Sequence, residues 1–262
     1  MSAKDIVLKP IPANEANELV KRVHYSGKVV QNSQLHIGVF YQGRLEGAMQ
    51  FGPSLDKRKI QGLVTGTAWH EFIELNRMAF SDNLPRNSES RALAIAMKLL
   101  KKYAPQIKWV VTFADGAQCG DGTIYRAAGF ILTGIKENDQ IIEFPDGYRE
   151  TRAELTGTSW ATIRAVAKRY GADITGGASL KPFLDVGARS VPGYMLRYLY
   201  FIDPAYRARL TVPELPYSEI EKRGARMYKG ERITGDRGET DSAAQSNEQT
   251  GGASPTLSLL DQ

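Results

Sequence analysis

The chain has 262 residues, of which 42% are hydrophobic, and contains 34 Lys and Arg, 29 Asp and Glu, three His and one Cys. That length suits one large domain or two small ones, and the lack of any run of about eighteen apolar residues excludes a membrane span. We expect no secretory signal, and a single cysteine excludes a disulfide scaffold and a Cys-only zinc site, as suits a reducing cytoplasm.

The net charge of +5 is unevenly spread along the chain. Residues 1–232 carry +9, whereas residues 233–262 carry −4. A basic body is compatible with a polyanionic partner such as nucleic acid, and equally with a basic protein that binds no polyanion. The last thirty residues have no aromatic side chain and are rich in Gly, Ser, Thr, Gln and Asp, so we predict a disordered acidic tail.

In the first part of the chain, apolar spacing predicts a helix over residues 14–24, followed by a β-hairpin over residues 35–51. A strand is predicted over residues 69–80. Simple alternation would place Glu74, Asn76 and Met78 on one face of this strand, and Leu75 with Arg77 on the other. The longest helix is predicted from a cap at Asn87 or Ser88 to Ala104, where Pro105 ends it.

After this helix, residues 109–114 (WVVTFA) form a near-continuous apolar run that predicts a strand buried on both faces. Three glycines and two Asp over residues 115–122 predict a loop, followed by a short helix over residues 123–128 and a strand over residues 130–135. The order of elements places the chain in the α/β (α+β) class, with a mixed central sheet flanked by helices.

The later part of the body contains three further patterned segments. Residues 156–170 form an amphipathic helix pattern, and residues 194–202 (YMLRYLYFI) are a β-prone aromatic run. Residues 210–217 carry two prolines, which predicts a position at a sheet edge.

Asp115 and Tyr125 are the first candidate site residues. Asp115 directly follows the buried strand at its carboxyl end, where ligands bind in open α/β sheets, and could act as a metal ligand or general base. Capping the next helix is the alternative role for this Asp. Tyr125 stands three residues into the short helix, from which it could protonate a leaving group or orient a substrate, or simply pack.

The three histidines differ in their sequence context. His36 is expected to be a half-buried strand residue, and His70 a surface residue at a strand entry. His24 precedes Tyr25 and a Ser-Gly turn, which is typical of a site loop. If a metal binds, His24 and Asp115 would supply one nitrogen and one oxygen ligand, a set that Fe(II) or Zn(II) tolerates.

Two further places could bind an anion. Arg77 lies among apolar residues in ELNRM and needs either an anionic ligand or a structural carboxylate partner. Residues 86–91 (RNSESR) lie where a strand passes into the long helix, and the free N–H groups at a helix N-terminus bind anions. Arg86 and the hydroxyl of Ser90 could contribute to that second site.

The order of elements in the middle of the chain resembles the central block of the GNAT acyltransferases. That order is a strand, a helix with an anion-binding N-terminus, a buried strand and a short helix that ends in YRAAGF. That superfamily binds acyl-CoA between two splaying strands, with a phosphate loop of the form Arg/Gln-x-x-Gly-x-Gly/Ala. Arg86 keeps the first position of this loop, but Glu89 and Arg91 replace the glycines. A carboxylate repels a pyrophosphate and side chains block the close approach that glycine allows, which argues against acetyl-CoA.

A closer resemblance is to the phage Mom family of adenine-modifying proteins. Eight segments within residues 20–217 are similar to sequence blocks of that family and occur in the same order. They are HYSGK, IGVFYQGRLEGAMQFG, ELNRM, PRNSESR, WVVTFADGAQ, GTIYRAAGF, RYLYFIDP and VPELPY. The resemblance implies a GNAT-like fold that converts the N6 amine of adenine in DNA to N6-carbamoylmethyladenine in the bacterial host cytoplasm, shielding phage DNA from restriction.

The same resemblance implies the site. The family's functional positions match here as His24, Tyr25, Arg77, Ser90, Asp115 and Tyr125. It implies iron, for which His24 and Asp115 would be ligands, and a small-molecule donor related to glycine, whose anionic part Arg77, Arg86 and Ser90 would hold. Tyr125 would act near the leaving group.

The resemblance also suggests a division of the chain. Residues 1–150 would form the GNAT-like catalytic core, residues 151–232 a basic extension packed on it and a possible DNA contact, and residues 233–262 the tail. N6 lies in the major groove and takes part in base pairing, so the enzyme must distort double-stranded DNA or flip the base. The extension has the composition for that contact, with aromatic residues Tyr194, Tyr198, Tyr200, Phe201, Tyr206 and Tyr217 among Arg189, Arg197, Arg207 and Arg209, and equally for a strand-rich segment that packs on the sheet.

Two other functions remain open from the sequence. One is a conventional acyl-CoA-dependent GNAT N-acetyltransferase that has no affinity for DNA. The other is a non-catalytic DNA-binding or anti-restriction protein on a GNAT scaffold. Cys119, within AQCGDG beside the predicted site, is expected to be incidental.

Overall fold

The computed structural model of the protein describes residues 2–24, 26–228 and 231–233. The strands in this part of the chain are β1 Val7–Pro10, β2 Leu35–Tyr41, β3 Arg44–Gly52, β4 Phe72–Phe80, β5 Trp109–Asp115, β6 Ile131–Glu143, β7 Arg149–Thr151, β8 Arg189–Phe201, β9 Met227–Tyr228 and β10 Glu231–Arg232. The α-helices are α1 Ala13–Val23, α2 Lys57–Gln61, α3 Ser88–Tyr103, α4 Thr123–Ala127, α5 Arg152–Thr156, α6 Trp160–Tyr170, α7 Lys181–Asp185 and α8 Ser218–Lys222. No helix among the described residues is both long and apolar enough to cross a membrane.

Eight strands form one mixed sheet in the order β1-β2-β3-β4-β5-β8-β6-β7. Of its neighbouring strands, β4 and β5 pair in parallel, through residues 72–74 and 109–111, and the other pairs are antiparallel. Beyond Glu74 and Val111 the parallel pairing stops, so that the carboxyl-terminal halves of β4 and β5 diverge. The predicted fold class is confirmed, and the gap between β4 and β5 becomes the centre of the candidate site.

The two faces of the sheet carry different helices. Alternate residues of β5 enter two separate cores, Val110 on the α3 side and Trp109 with Val111 on the other. On the first face, α3 buries a stripe at helical spacing, formed by Ala92, Leu93, Ala96, Met97 and Leu100. On the opposite face, α1 packs Ala16 and Leu19 against Ala48, and the segment between β3 and β4 packs Ile60, Leu63 and Val64 against Phe72 and Trp109.

A β-bulge in β4 corrects the predicted face of Arg77. Gln50 pairs with Arg77 and Phe51 pairs with Leu75, so Asn76 is an extra residue in β4. Leu75 is buried in the α3-side core, whereas Arg77 lies opposite Gln50, whose side chain reaches Asn17 of α1. The prediction that Leu75 and Arg77 share a face was wrong, because the bulge shifts the alternation by one residue.

The strand β8 lies inside the sheet, between β5 and β6. The predicted extension, residues 151–232, therefore contributes an interior strand of the main sheet and does not only pack on its surface. β6 and β8 continue their pairing beyond the end of β5, as far as Glu143 opposite Arg189. There α5, α6 and α7 form a separate small core with residues Ile142, Phe144, Leu155, Ile163, Val166 and Phe183.

Several boundaries differ from the sequence-based ones. β4 begins at Phe72, since Trp69 lies in a turn with half its surface exposed. Residues 210–217, which were predicted to lie at a sheet edge, form two isolated bridges, Val64 with Leu210 and Leu132 with Leu215. The predicted disordered tail comprises residues 233–262, of which all but Ile233 lie outside the described residues.

Candidate active site

Asp115 is the last residue of β5, at the wide end of the gap between β4 and β5. The backbone N–H of Ala117 donates to its Oδ1 at 2.9 Å, which fixes the orientation of the carboxylate. Burial raises the pKa of Asp115, and the neighbouring backbone N–H of Ala117 and side chains of Asn138 and Gln118 oppose that rise. A carboxylate with a raised pKa at a strand end is suited to accept a proton.

Cys119 closes the loop that follows Asp115. Its backbone N–H donates to the Asp115 carbonyl oxygen at 2.8 Å, and its Sγ donates to the same oxygen at 3.2 Å. Burial raises the pKa of the Cys119 thiol, so the side chain stays protonated at neutral pH. Because the thiolate is the nucleophilic form of cysteine, this arrangement serves the loop structure.

Tyr125 lies on α4, with its ring 5.5 Å from that of Tyr198 and 5.8 Å from that of Phe130 between centroids. Burial raises its pKa to about 12. The hydroxyl therefore remains protonated at neutral pH and can donate a hydrogen bond or a proton. Beside it, Thr112 donates from Oγ1 to the carbonyl oxygen of Leu75 at 3.3 Å, bridging β5 to β4 where they diverge.

Glu74 is a site residue that sequence reasoning did not single out. It lies on β4 at the last pairing with β5, and burial raises the pKa of its carboxyl. The charge of Glu74 makes a small contribution to the raised pKa of Tyr125, so the two side chains interact electrostatically. Its signal in the sequence was a carboxylate within an otherwise apolar strand segment, FIELN.

His24 directly follows α1, with its backbone N–H bonded to Val20 O at 2.9 Å. The backbone N–H of Ser26 donates to His24 Nδ1 at 3.2 Å, and Ser26 Oγ lies 2.8 Å from the same nitrogen. Burial, together with the positive charge of Arg77, lowers the pKa of His24 to about 3. The imidazole is therefore neutral at physiological pH, and acceptance at Nδ1 leaves the ring proton on Nε2.

Arg77 is the charged group beside His24. Its Nε is buried and has no hydrogen-bond partner within the described part of the chain. No carboxylate of the described residues lies within 4.0 Å of its guanidinium, so the structural ion pair that the sequence left open does not form there. A buried donor of this kind is costly unless a ligand accepts from it, which favours an anionic ligand.

The predicted positions divide between the two faces of the sheet. Arg86 and Ser90 lie at the N-terminal end of α3, which contacts α4, so they share a face with Tyr125. There Asn87 takes a left-handed φ of 67° at the cap, and Ser90 Oγ lies 3.4 Å from its carbonyl oxygen. His24 and Arg77 lie on the α1 face. Tyr25 lies outside the described residues.

The residues present do not fit the iron site implied by the family resemblance. No three His, Cys, Asp or Glu side chains come together as a possible metal site among the residues that the structure describes. In addition, His24 carries its ring proton on Nε2 and faces the cation of Arg77. Iron therefore stays a prediction, and no step of the chemistry below depends on it.

Eight basic residues of the predicted extension form ion pairs with neighbouring carboxylates. Ion pairs join Arg152 to Asp139, Arg169 to Asp146, Lys181 to Asp185, Arg189 to Glu143, Arg207 to Glu214, Lys222 and Arg223 to Glu219, and Arg226 to Glu221. Arg197 donates to Thr133, and Arg209 to the carbonyl oxygens of Thr65 and Gly66. Of the predicted stacking residues, Tyr198 and Tyr206 are buried. These contacts weigh against the extension as the DNA contact.

The Mom protein family matches residues 5–219 of the chain. Methylcarbamoylase mom of Escherichia phage Mu is 37% identical over 137 residues, which make up 52% of this chain and 56% of the relative. The match thus spans about half the length of this curated relative.

Similar solved structures include the IAA acetyltransferase from Bacillus cereus ATCC 14579, which is 14% identical with a TM-score of 0.38 and covers 75% of this chain and 99% of its own. The ribosomal-protein-S18-alanine N-acetyltransferase from Escherichia coli is 10% identical with a TM-score of 0.40 and covers 75% of this chain and 94% of its own.

Proposed function

This chain belongs to the Mom protein family, and from that premise we propose that it is a transferase that converts the N6 amine of adenine in DNA to N6-carbamoylmethyladenine. In a bacterial host cytoplasm, this modification would protect phage DNA from restriction enzymes. The observation that carries the proposal is that a group able to accept a proton ends β5 and a group able to donate one lies on α4, one loop further along the chain. Asp115 has a raised pKa at the end of β5, and the buried Tyr125 keeps its phenolic proton.

The proposed step is a substitution at the carbon of the donor. The N6 nitrogen of adenine forms a bond to the methylene carbon of the carbamoylmethyl group. At the same time the bond from that carbon to the leaving group breaks, and the leaving group keeps the electron pair. One N6 proton passes to the Asp115 carboxylate, and the phenol of Tyr125 donates a proton to the leaving group. These are the roles of a general base and a general acid, each typically contributing about 10²–10⁴-fold to the rate.

Arg77 and His24 would hold the donor. The unpartnered Nε of Arg77 supports recognition of an anionic group, since guanidinium bonds to carboxylates and phosphates are short and strong. The neutral ring of His24 can donate from Nε2 to the same ligand. Arg86 and Ser90, on the opposite face at the start of α3, would contact a different part of it.

The test is mass spectrometry of nucleosides from the DNA of cells that express the protein. We expect deoxyadenosine carrying a carbamoylmethyl group. An acetylated amine without altered nucleosides would support an N-acetyltransferase instead, and DNA affinity without a new nucleoside would support a binding protein. The variant Tyr125→Phe, which removes the proposed proton donor, should form less of the modified nucleoside. Its control is Tyr103→Phe, which changes an exposed tyrosine on α3.

A further inference from the structure

Three consecutive cations lie on α2, in the segment between β3 and β4. Lys57, Arg58 and Lys59 have no carboxylate within 4.0 Å among the described residues. This separates them from the basic residues of the predicted extension, most of which are paired. Arg58 and Lys59 are exposed, whereas Lys57 is half-buried and burial lowers its pKa. Cations without a carboxylate partner interact with a polyanion without first breaking an ion pair.

Two apolar side chains flank these cations. Leu55 is 97% exposed and Trp69 is 51% exposed. Lys57 Nζ lies 4.6 Å from the centre of the Trp69 ring, so the cation and the ring form one continuous patch. We call residues 55–59 together with Trp69 the α2 surface.

The α2 surface rests on a firmly packed base. Ile60, just behind the cations, is buried with Leu63 and Val64 against Phe72 and Trp109 of the sheet. Gln61 Nε2 donates to the carbonyl oxygen of Thr67 at 2.7 Å, which links the end of α2 to a later part of the same segment. The cations and Leu55 are therefore presented by a fixed platform.

The platform begins at the edge of the candidate site. Ser54 is buried beside Glu74, whose charge acts on Tyr125. Pro53 accepts a hydrogen bond at 2.7 Å from Asn32 Nδ2, in the segment that leads from His24 back to β2. Leu55 is the next residue after Ser54, so the α2 surface begins next to Glu74, where the pairing of β4 with β5 ends. The segment packs on the same face as α1, the face of His24 and Arg77.

We propose that the α2 surface is the docking site for duplex DNA, an inference that rests on the proposed function. Lys57, Arg58 and Lys59 contact backbone phosphates, and Leu55 enters the base stack beside the target adenine. Proteins that unstack bases insert apolar side chains of this type, and the inserted group fills the space that an extruded base leaves. On this proposal, Leu55 is exposed in the free protein and becomes buried when the protein binds DNA.

The first experiment measures binding of the full chain to a short duplex as a function of salt. In the triple variant Lys57→Ala, Arg58→Ala, Lys59→Ala, we expect the slope of log affinity against log salt to fall by about 3, since each phosphate contact contributes about 0.9. We also expect affinity to fall at least about tenfold at a salt concentration of about 0.1 M. The matched control removes three exposed lysines from the second half of α3, Lys98, Lys101 and Lys102. An unchanged slope in the α2 variant, or an equal loss in the α3 variant, would overturn the proposal.

The second experiment tests Leu55. In Leu55→Ala we expect duplex affinity within about twofold of the parent but at least about tenfold slower adenine modification, restored on a substrate whose target adenine is mispaired and already unstacked. Leu184→Ala, which changes another exposed leucine, is the control and keeps full activity. A Leu55→Ala protein of full activity, or one whose loss the mispair does not restore, would overturn the role of Leu55.

The two experiments also separate this inference from the proposed function. If the parent protein modifies DNA and the α2 variant both binds and modifies it as the parent does, the docking surface is wrong and the function stands. If the parent binds duplex through α2 but never forms a new nucleoside, the docking surface stands and the proposed chemistry is wrong.

Discussion

Lys28 and Glu150 form an ion pair that links the segment after His24 to the far edge of the sheet, with Lys28 Nζ 2.7 Å from Glu150 Oε1. Glu150 lies on β7 and is only 6% exposed. It also accepts from Tyr148 Oη at 3.1 Å and from the backbone N–H of Thr151 at 2.8 Å. Because β7 is the edge strand next to β6, this ion pair connects the segment after His24 to the far edge of the sheet, on the other side of β5, β8 and β6.

We expect Lys28→Met to destabilise the protein by about 1–3 kcal/mol, because it leaves the buried Glu150 carboxylate without this cation. Replacing both partners, Lys28→Met with Glu150→Gln, should recover part of that loss. Denaturant unfolding of the parent, both single variants and the double variant gives the coupling. Single-variant losses that simply add within about 0.5 kcal/mol would show that the pair is not coupled.

Asp115→Asn should stabilise the protein at neutral pH while abolishing its activity. The raised pKa means that the folded state binds the Asp115 proton more readily than the unfolded state. The parent therefore loses stability as the pH rises through the folded pKa, and asparagine, which has no such titration, does not. The Tm difference in favour of the variant should shrink on acidification and vanish below the ordinary Asp pKa of about 3.9. A variant less stable than the parent by the same amount at every pH would contradict this account.

Much of the fold follows from local patterns in the sequence. The buried run at β5, the apolar stripe of α3 and the Gln42–Gly43 turn of the β2–β3 hairpin are each set by short-range spacing. The interior position of β8 was not predictable in this way, because an aromatic run suits an interior or an edge strand equally. Its place is decided by pairing with β5 and β6, which are distant in sequence.

The site shows the same limit. Asp115 and Tyr125 could be singled out because a strand end and a short helix position them locally. The face of Arg77 could not, since the extra residue Asn76 is visible only through the register with β3. Glu74 was missed because its importance comes from burial and from its proximity to Tyr125, both of which are tertiary properties.

Cys119→Ala should retain activity within about threefold of the parent, because burial keeps the thiol protonated and unreactive at neutral pH. The native Cys119 should also resist alkylation by iodoacetamide at neutral pH and react once the protein is unfolded. Mass spectrometry of the treated protein measures the second expectation. Rapid labelling of the folded protein, or a loss of activity comparable to that of Tyr125→Phe, would indicate a chemical role for the thiol.

Tyr125→Phe should reduce kcat by about 10²–10⁴-fold with little change in KM, because it removes a proton donor and keeps the ring contacts with Tyr198 and Phe130. Since the pKa of Tyr125 is raised to about 12, its ionisation should cause no loss of parent activity up to about pH 10. Rates measured across the alkaline range test this directly. Equal effects of Tyr125→Phe and Tyr103→Phe would remove Tyr125 from the mechanism.

Arg77→Gln should raise the KM for the donor by about 10–100-fold, the value of a charge-assisted hydrogen bond of about 1.5–3 kcal/mol. The same change removes the positive charge that acts on His24, so the pKa of His24 should rise from about 3. It should stay below the ordinary value because burial, the larger cause, remains. NMR titration resolves this, since the chain has only three histidines. Stability should change little, because the buried Nε makes no hydrogen bond to the described residues that would be lost. If neither the donor KM nor the pKa of His24 moves, Arg77 does not face the ligand and the anion would have to be held at the start of α3, by Arg86 and Ser90.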